Sequence, residues 1–206
     1  MSTPDNFDSP TTKFDAGTFD DSGSDRQGND SLLADVEESA PEPDRWHAGL
    51  DVGLLVLRLG LAMVMGAHGL QKLFGLFDGP GIGGFADALT AMGYTGQTTL
   101  LAWITAFAET GGALLLAVGL FTPIGAAAVL GVAINIVVSK FQLGSGYFEA
   151  ELDLMVGVAA LTLLFTGAGR IAIDKNTPWR RKPGVFGLFG LLLAIAASIV
   201  VIVMFR

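Results

Sequence analysis

Cysteine is absent from this chain of 206 residues, which excludes a disulfide framework, a thiolate zinc site, an iron–sulfur cluster and a CxxC redox centre. Any electrons handled here would have to travel on another group. Histidine is nearly as scarce. His47 and His68 are the two residues of that type, and a histidine-built metal site is not expected from so few. Charge is also thin, at 16% against 51% hydrophobic residues, a balance that does not fit an ordinary soluble domain. The formal charge of −8 belongs to one end: the first 48 residues hold twelve Asp and Glu against Lys13, Arg26 and Arg45, a balance of −9, and the remaining 158 residues come to +1. No basic patch of the kind that nucleic-acid binding needs is left.

What is there is a polar leader followed by long apolar runs. Residues 1–48 are rich in Asp, Ser, Thr, Gly and Pro, with apolar side chains too sparse to offset the entropy of ordering a backbone, and read as a disordered acidic tail. The tail lacks the basic start and early apolar core of a secretory signal. It solubilises the chain or docks a basic partner. Five hydrophobic stretches then recur at lengths near the ~20 residues a helix needs to cross a bilayer: about 50–74, 98–121, 124–140, 148–168 and 185–205. Between the first two, Asp78-Gly79-Pro80-Gly81 is turn chemistry. Phe85, Ala88, Leu89 and Met92 follow on one helical face, expected at the membrane interface or folded back over the bundle. Thr122-Pro123 leaves room only for an antiparallel hairpin of the second and third spans. The expected architecture is an all-α transmembrane bundle in three parts: tail 1–48, a four-helix membrane core 49–175, and 176–206 with the end of a basic loop and a fifth helix.

Orientation follows from Lys and Arg in the short loops. With the N-terminus inside, the inner face receives Lys13, Arg26, Arg45, Arg170, Lys175, Arg180, Arg181 and Lys182, against Lys72, Lys140 and Arg206 outside, a bias of eight to three. Trp46, Tyr94, Tyr147 and Trp179 fall near the expected boundaries, as an aromatic belt would. Gly53, Gly60, Gly66, Gly69 and Gly112 are candidate helix-packing surfaces.

Ionisable groups inside a span are costly, so each is a functional candidate. Arg58 and His68 lie in the first span with Gln71 and Lys72 near its end; Glu109 lies in the second, Asn135 in the third, and Glu149 and Asp153 one turn apart at the start of the fourth. His68 and Lys72 share a face at spacing i, i+4. The plainer reading has Lys72 snorkelling to the headgroups and the two carboxylates pairing with His68 and Lys72 to hold helix ends together. The sharper reading is a ligand, cation or proton site. Counting depth at ~1.5 Å per residue, Arg58 lies ~12 Å from Leu50, Glu109 ~16 Å from Leu120 and Asn135 ~16 Å from Ile124, which predicts a buried Arg58–Glu109 pair with Asn135 beside it.

Arg58-Leu59-Gly60, then His68-Gly69-Leu70-Gln71-Lys72-Leu73-Phe74-Gly75, then Glu109-Thr110-Gly111-Gly112 running on through Val118-Gly119-Leu120, resemble motifs of the DoxX family of small bacterial membrane proteins. Thr166-Gly167-Ala168-Gly169-Arg170 with Ile173-Asp174 is similar to its closing motif. The resemblance covers about residues 50 to 175. It implies a four-helix bundle in the bacterial plasma membrane. The family takes its name from a subunit linked to thiosulfate:quinone oxidoreductase, and some members associate with superoxide dismutase and a sulfurtransferase. By that resemblance the chain is a multi-pass subunit or anchor of a quinone-linked or oxidative-stress oxidoreductase system. Quinone is then the candidate cofactor, the lipid bilayer and soluble redox proteins the candidate partners, and a homo-oligomer an open arrangement. The rivals are a small transporter or proton/ion pathway built around Arg58, Glu109 and Asp153, and a purely structural scaffold.

Overall fold

The described residues of the computed structural model are 48–206; the acidic tail, Trp46 and His47 lie outside them. Among the described residues the chain is all-helical. Helix α1 is Ala48–Phe74, α2 Gly81–Ala91, α3 Thr98–Val118, α4 Thr122–Gln142 and α5 Tyr147–Thr166; a short 3₁₀ turn Ile173–Asn176 and a single helical turn α6, Pro178–Arg181, lead to α7, Pro183–Phe205. The boundaries sit at residues whose chemistry stops or starts a helix. Gly119 ends α3 at φ 69°, where its N–H turns back to the Leu115 carbonyl, and Pro123 and Pro183 occupy first-turn positions of α4 and α7.

The long helices α1, α3, α4, α5 and α7 form the bundle, with α1 against α3, α3 against α4, α4 against α5, and α7 laid over α4 and α5. As the tight turn at Thr122-Pro123 requires, α3 and α4 form a hairpin, Gly112 opposite Gly125. The α1–α3 register is set by Gly66 opposite Ala113 and Gly69 opposite Thr110. A Cβ on Gly69 would sit 2.2 Å from Thr110 Oγ1, so only glycine lets the two backbones approach this closely. Gly53 and Gly60 meet nothing within 4 Å and are not packing surfaces, contrary to the sequence expectation. The core joins Leu54, Leu61 and Met65 of α1, Leu116 of α3, Val129 and Leu130 of α4, Leu163 and Leu164 of α5 and Ala194 of α7.

Outside that core the large side chains point outward, Met63 at 72% and Val203 at 74% exposure among them. In water such surface would aggregate; against lipid tails it is the expected exterior. Four helices, α1, α3, α4 and α7, are long and apolar enough to cross a membrane. Helix α5 has similar length, 20 residues, but Glu149, Glu151 and Asp153 crowd its first two turns. The amphipathic segment folds back: α2 buries Ala86 and Leu89 in a second cluster with Tyr94, Leu101 and Ala102, closed by Val201 and Phe205 of α7. Tyr94 is therefore buried, not part of an interfacial belt. Its hydroxyl is 2.8 Å from Ser139 Oγ, and the Arg206 guanidinium lies 5.5 Å from its ring centre.

Candidate functional site

At one end of the bundle Arg58 is a structural lock. The loop after α5 folds beneath the helices, and Arg58 donates from Nη1 to the Ala168 carbonyl and from Nη2 to the Ile171 carbonyl, both at 2.9 Å. The same loop supplies Asp174, buried, whose Oδ2 accepts from Thr122 N at 2.8 Å and Thr122 Oγ1 at 2.9 Å while Oδ1 accepts from Phe121 N at 3.1 Å. A carboxylate there meets the orphan N–H groups and the positive end of the α4 dipole. Asp51 Oδ1 accepts from Arg170 N at 2.7 Å and pins the loop to α1. Gly119 is required as well as permitted, because a Cβ there would come within 2.6 Å of Arg58 Nη1. The Thr166–Asp174 motif thus acts as a plug whose carbonyls and carboxylate neutralise the end of the bundle.

The other end is built differently. Glu109, with no exposed surface, accepts an ion-paired hydrogen bond on Oε1 from Lys72 Nζ, and its Oε2 has no hydrogen-bond partner. The Lys72 ammonium also lies 4.7 Å from the Phe85 ring centre, a cation–π contact from α2. Beside Glu109 is a small cavity of about 60 Å³ lined by His68 and Lys72 from α1, Asp153, Leu152 and Val156 from α5, and Ala133 and Ile136 from α4. Lys140 holds the Asp153 that lines it. It donates to Asp153 Oδ2 at 2.5 Å and to the Glu149 carbonyl at 2.8 Å. The sequence reading that paired Glu149 and Asp153 with His68 and Lys72 is therefore corrected. Lys140 at the end of α4 lies one short turn from α5 and takes Asp153 first, whereas the Glu149 side chain is exposed. Gln71 serves the following turn, its Nε2 3.4 Å from the Phe77 carbonyl.

The expected Arg58–Glu109–Asn135 triad does not form. The register Gly66–Ala113 and Gly69–Thr110 puts Glu109 level with about residue 70, twelve residues from Arg58, or roughly 18 Å along the helix. Depth counted from span ends failed because the two helices are staggered: this register sets Val118, the end of α3, level with about residue 61, well inside α1, and carries the start of α3 past Phe74. Asn135 turns to α7 instead: Nδ2 donates to the Gly131 carbonyl at 2.8 Å and to Ser198 Oγ at 3.1 Å, while Ser198 Oγ donates to the Ala194 carbonyl at 2.8 Å.

Sequence reasoning had no access to a cavity of about 450 Å³ between α2, α3, α4 and α7. Ile124 and Leu143 both line it, nineteen residues apart on α4, so it runs about 28 Å along that helix. Its walls are apolar, with Leu101, Ile104, Val132, Leu193 and Val201 among them, and its polar groups gather toward one end: Lys72, Lys140, Tyr94 and Ser139, with Asn135 and Ser198 farther in. Asn135 Oδ1 is buried without a hydrogen-bond partner. Lys72 lines both this cavity and the small one.

Residues 53–142 match the family model described as DoxX. That segment is similar to the DoxX family. The match holds Arg58, His68, Gln71, Lys72, Glu109 and Asn135, and stops at the end of α4, short of Glu149, Asp153, Asp174 and the whole of α5 and α7. It is thus narrower than the resemblance read from the motifs, and α7, one wall of the large cavity, lies beyond it. No curated protein and no solved structure matches the chain.

Proposed function

We propose that this DoxX-family membrane protein is a plasma-membrane subunit that holds a single-chain, quinone-like ligand for an oxidoreductase system. The observation that carries the reading is the cavity of about 450 Å³: long, narrow, apolar along its length and polar near one end. A lipid-soluble molecule with one chain and an oxygen-bearing head matches that distribution. The donors fit a quinone head, since the Lys72 ammonium and the Tyr94 hydroxyl can give hydrogen bonds to its carbonyl oxygens, and the unpartnered Asn135 Oδ1 can accept from a reduced head. What such a group supplies when bound is two-electron redox chemistry that no side chain of this chain can perform. The residues supply binding and orientation. Soluble redox partners, of the superoxide dismutase or sulfurtransferase kind, and the acidic segment 1–48 as their docking element, belong to the same proposal.

Gentle purification from native membranes followed by solvent extraction is the test. A quinone recovered in near-stoichiometric amount, and lost when Ala197→Trp fills the cavity, is the expected result; extracts free of quinone and of co-purifying redox enzymes would sink the reading. The proposed orientation places the loop around residues 169–183 in the cytoplasm, from the Lys and Arg bias. Because the chain has no native cysteine, Asn176→Cys should resist an impermeant thiol reagent in intact cells and react once the membrane is opened.

A further inference from the structure

Glu109 is the most completely buried carboxylate among the described residues, and half of it is unsatisfied: Oε1 takes the Lys72 ammonium, Oε2 takes nothing. A buried acceptor left empty is unusual, and here it adjoins a cavity of about 60 Å³, roomy enough for a few waters and too small for an organic ligand. Every element packed around that cavity bears on its charge. From α1 come His68 and Lys72, from α5 Asp153, and from α4 only Ala133 and Ile136, with Lys140 held by Asp153; α2 contributes the Phe85 ring beneath Lys72. Asp153 and Lys140 keep 20% and 35% of their side-chain surface exposed, so the pocket lies near the protein surface on their side. Among the described residues, Lys72 is the one charged side chain that lines both the small cavity and the large one.

We infer that Glu109 is a proton-binding site that switches Lys72 between two partners, the Glu109 carboxylate and the oxygen-bearing head of a ligand in the large cavity. The inference rests on the ligand reading of that cavity. In the switch a proton from water in the small pocket forms an O–H bond at Glu109 Oε2, and the Lys72–Glu109 ion pair becomes a contact between an ammonium and a neutral carboxyl. Lys72 keeps all its protons and no electrons move. An ammonium stripped of its counter-charge in this apolar setting is costly, so it seeks new acceptors, and those of the ligand head lie in the other cavity that Lys72 lines. Linkage makes the effect reciprocal: a ligand that engages Lys72 promotes proton uptake by Glu109, and acid promotes ligand binding.

The test uses the full chain in nanodiscs of uncharged lipid, with a decyl-substituted benzoquinone as probe and decylbenzene, which lacks acceptors, as control. Neither probe titrates, so pH acts through the protein alone. From about pH 8 to about pH 5 the affinity for the quinone probe should rise by roughly threefold or more per unit, one fully linked proton giving tenfold, while that for decylbenzene stays flat. Glu109→Gln should bind the quinone probe with little pH dependence, Lys72→Met should lose the preference for quinone over decylbenzene, and His68→Asn should keep the slope. Infrared difference spectra of the unaltered chain should gain a protonated-carboxyl band on quinone binding, a readout that requires no variant to fold. A preference for quinone without any slope or new carboxyl band would overturn the switch and leave the ligand site standing. A slope that persists in Glu109→Gln would do the same. Failure of both probes to bind would overturn the ligand site and the switch with it.

Discussion

The two ends of the bundle each bury an ionised pair of elements and solve the problem in opposite ways. At the Arg58 end the charges are met by backbone: Arg58 by the Ala168 and Ile171 carbonyls, Asp174 by the N–H groups that open α4. These partners are fixed by the chain's own path, and of the Arg58 and Asp174 polar atoms only the Arg58 Nε donor is left without a hydrogen-bond partner. At the Glu109 end the partners are side chains on separate helices, Lys72, Asp153 and Lys140, and an acceptor is left open beside a cavity. Ionisable residues in apolar helices are often read as functional by default. The contrast here shows that the discriminating question is whether the surrounding backbone already satisfies them.

The largest effect that would sharpen this contrast is expected from Arg58→Leu. It leaves two inward carbonyls unmet and Asp174 without its nearby cation, and should lower unfolding stability in detergent by about 3–5 kcal/mol. Asp174→Ala comes next, at about 2–3 kcal/mol, because three hydrogen bonds to the start of α4 disappear; Asp174→Asn should fall between it and the unaltered chain. Glu109→Gln should cost about 1–2 kcal/mol, since Lys72 loses its counter-charge while the amide oxygen can still accept from it. A thermal-melt loss as large as that of Arg58→Leu would erase the distinction between the two ends. Combining Arg58→Leu with Glu109→Leu should be additive to within about 0.5 kcal/mol, as expected for sites this far apart. Rescue in the double variant would restore the discarded pairing. The smallest change is Ser198→Ala, where loss of the Asn135–Ser198 bridge should cost about 0.6 kcal/mol in the same melts.

Helix positions were legible because their signal is local: uninterrupted apolar length and the punctuation of Gly119, Pro123, Gly146, Gly167 and Pro183 lie within a few residues of each boundary. The site residues were legible as types, because a charge in an apolar run stands out in one dimension. Their partners were not. Pairing depends on the register between helices distant in the chain, and the close approach of Gly69 to Thr110 fixes a register about nine residues away from the one that span-end counting predicts. The large cavity was invisible for the same reason, since its walls come from α2, α3, α4 and α7 and no single segment differs from ordinary membrane helix. Sequence alone determined that this is an all-helical membrane protein with a stretch similar to the DoxX family and a handful of charges in apolar runs, because hydrophobic length and composition are summed residue by residue. Only the tertiary structure decided which charges neutralise one another, which acceptor stays open and where an empty volume is left, because those follow from how close the backbones approach and at what relative height.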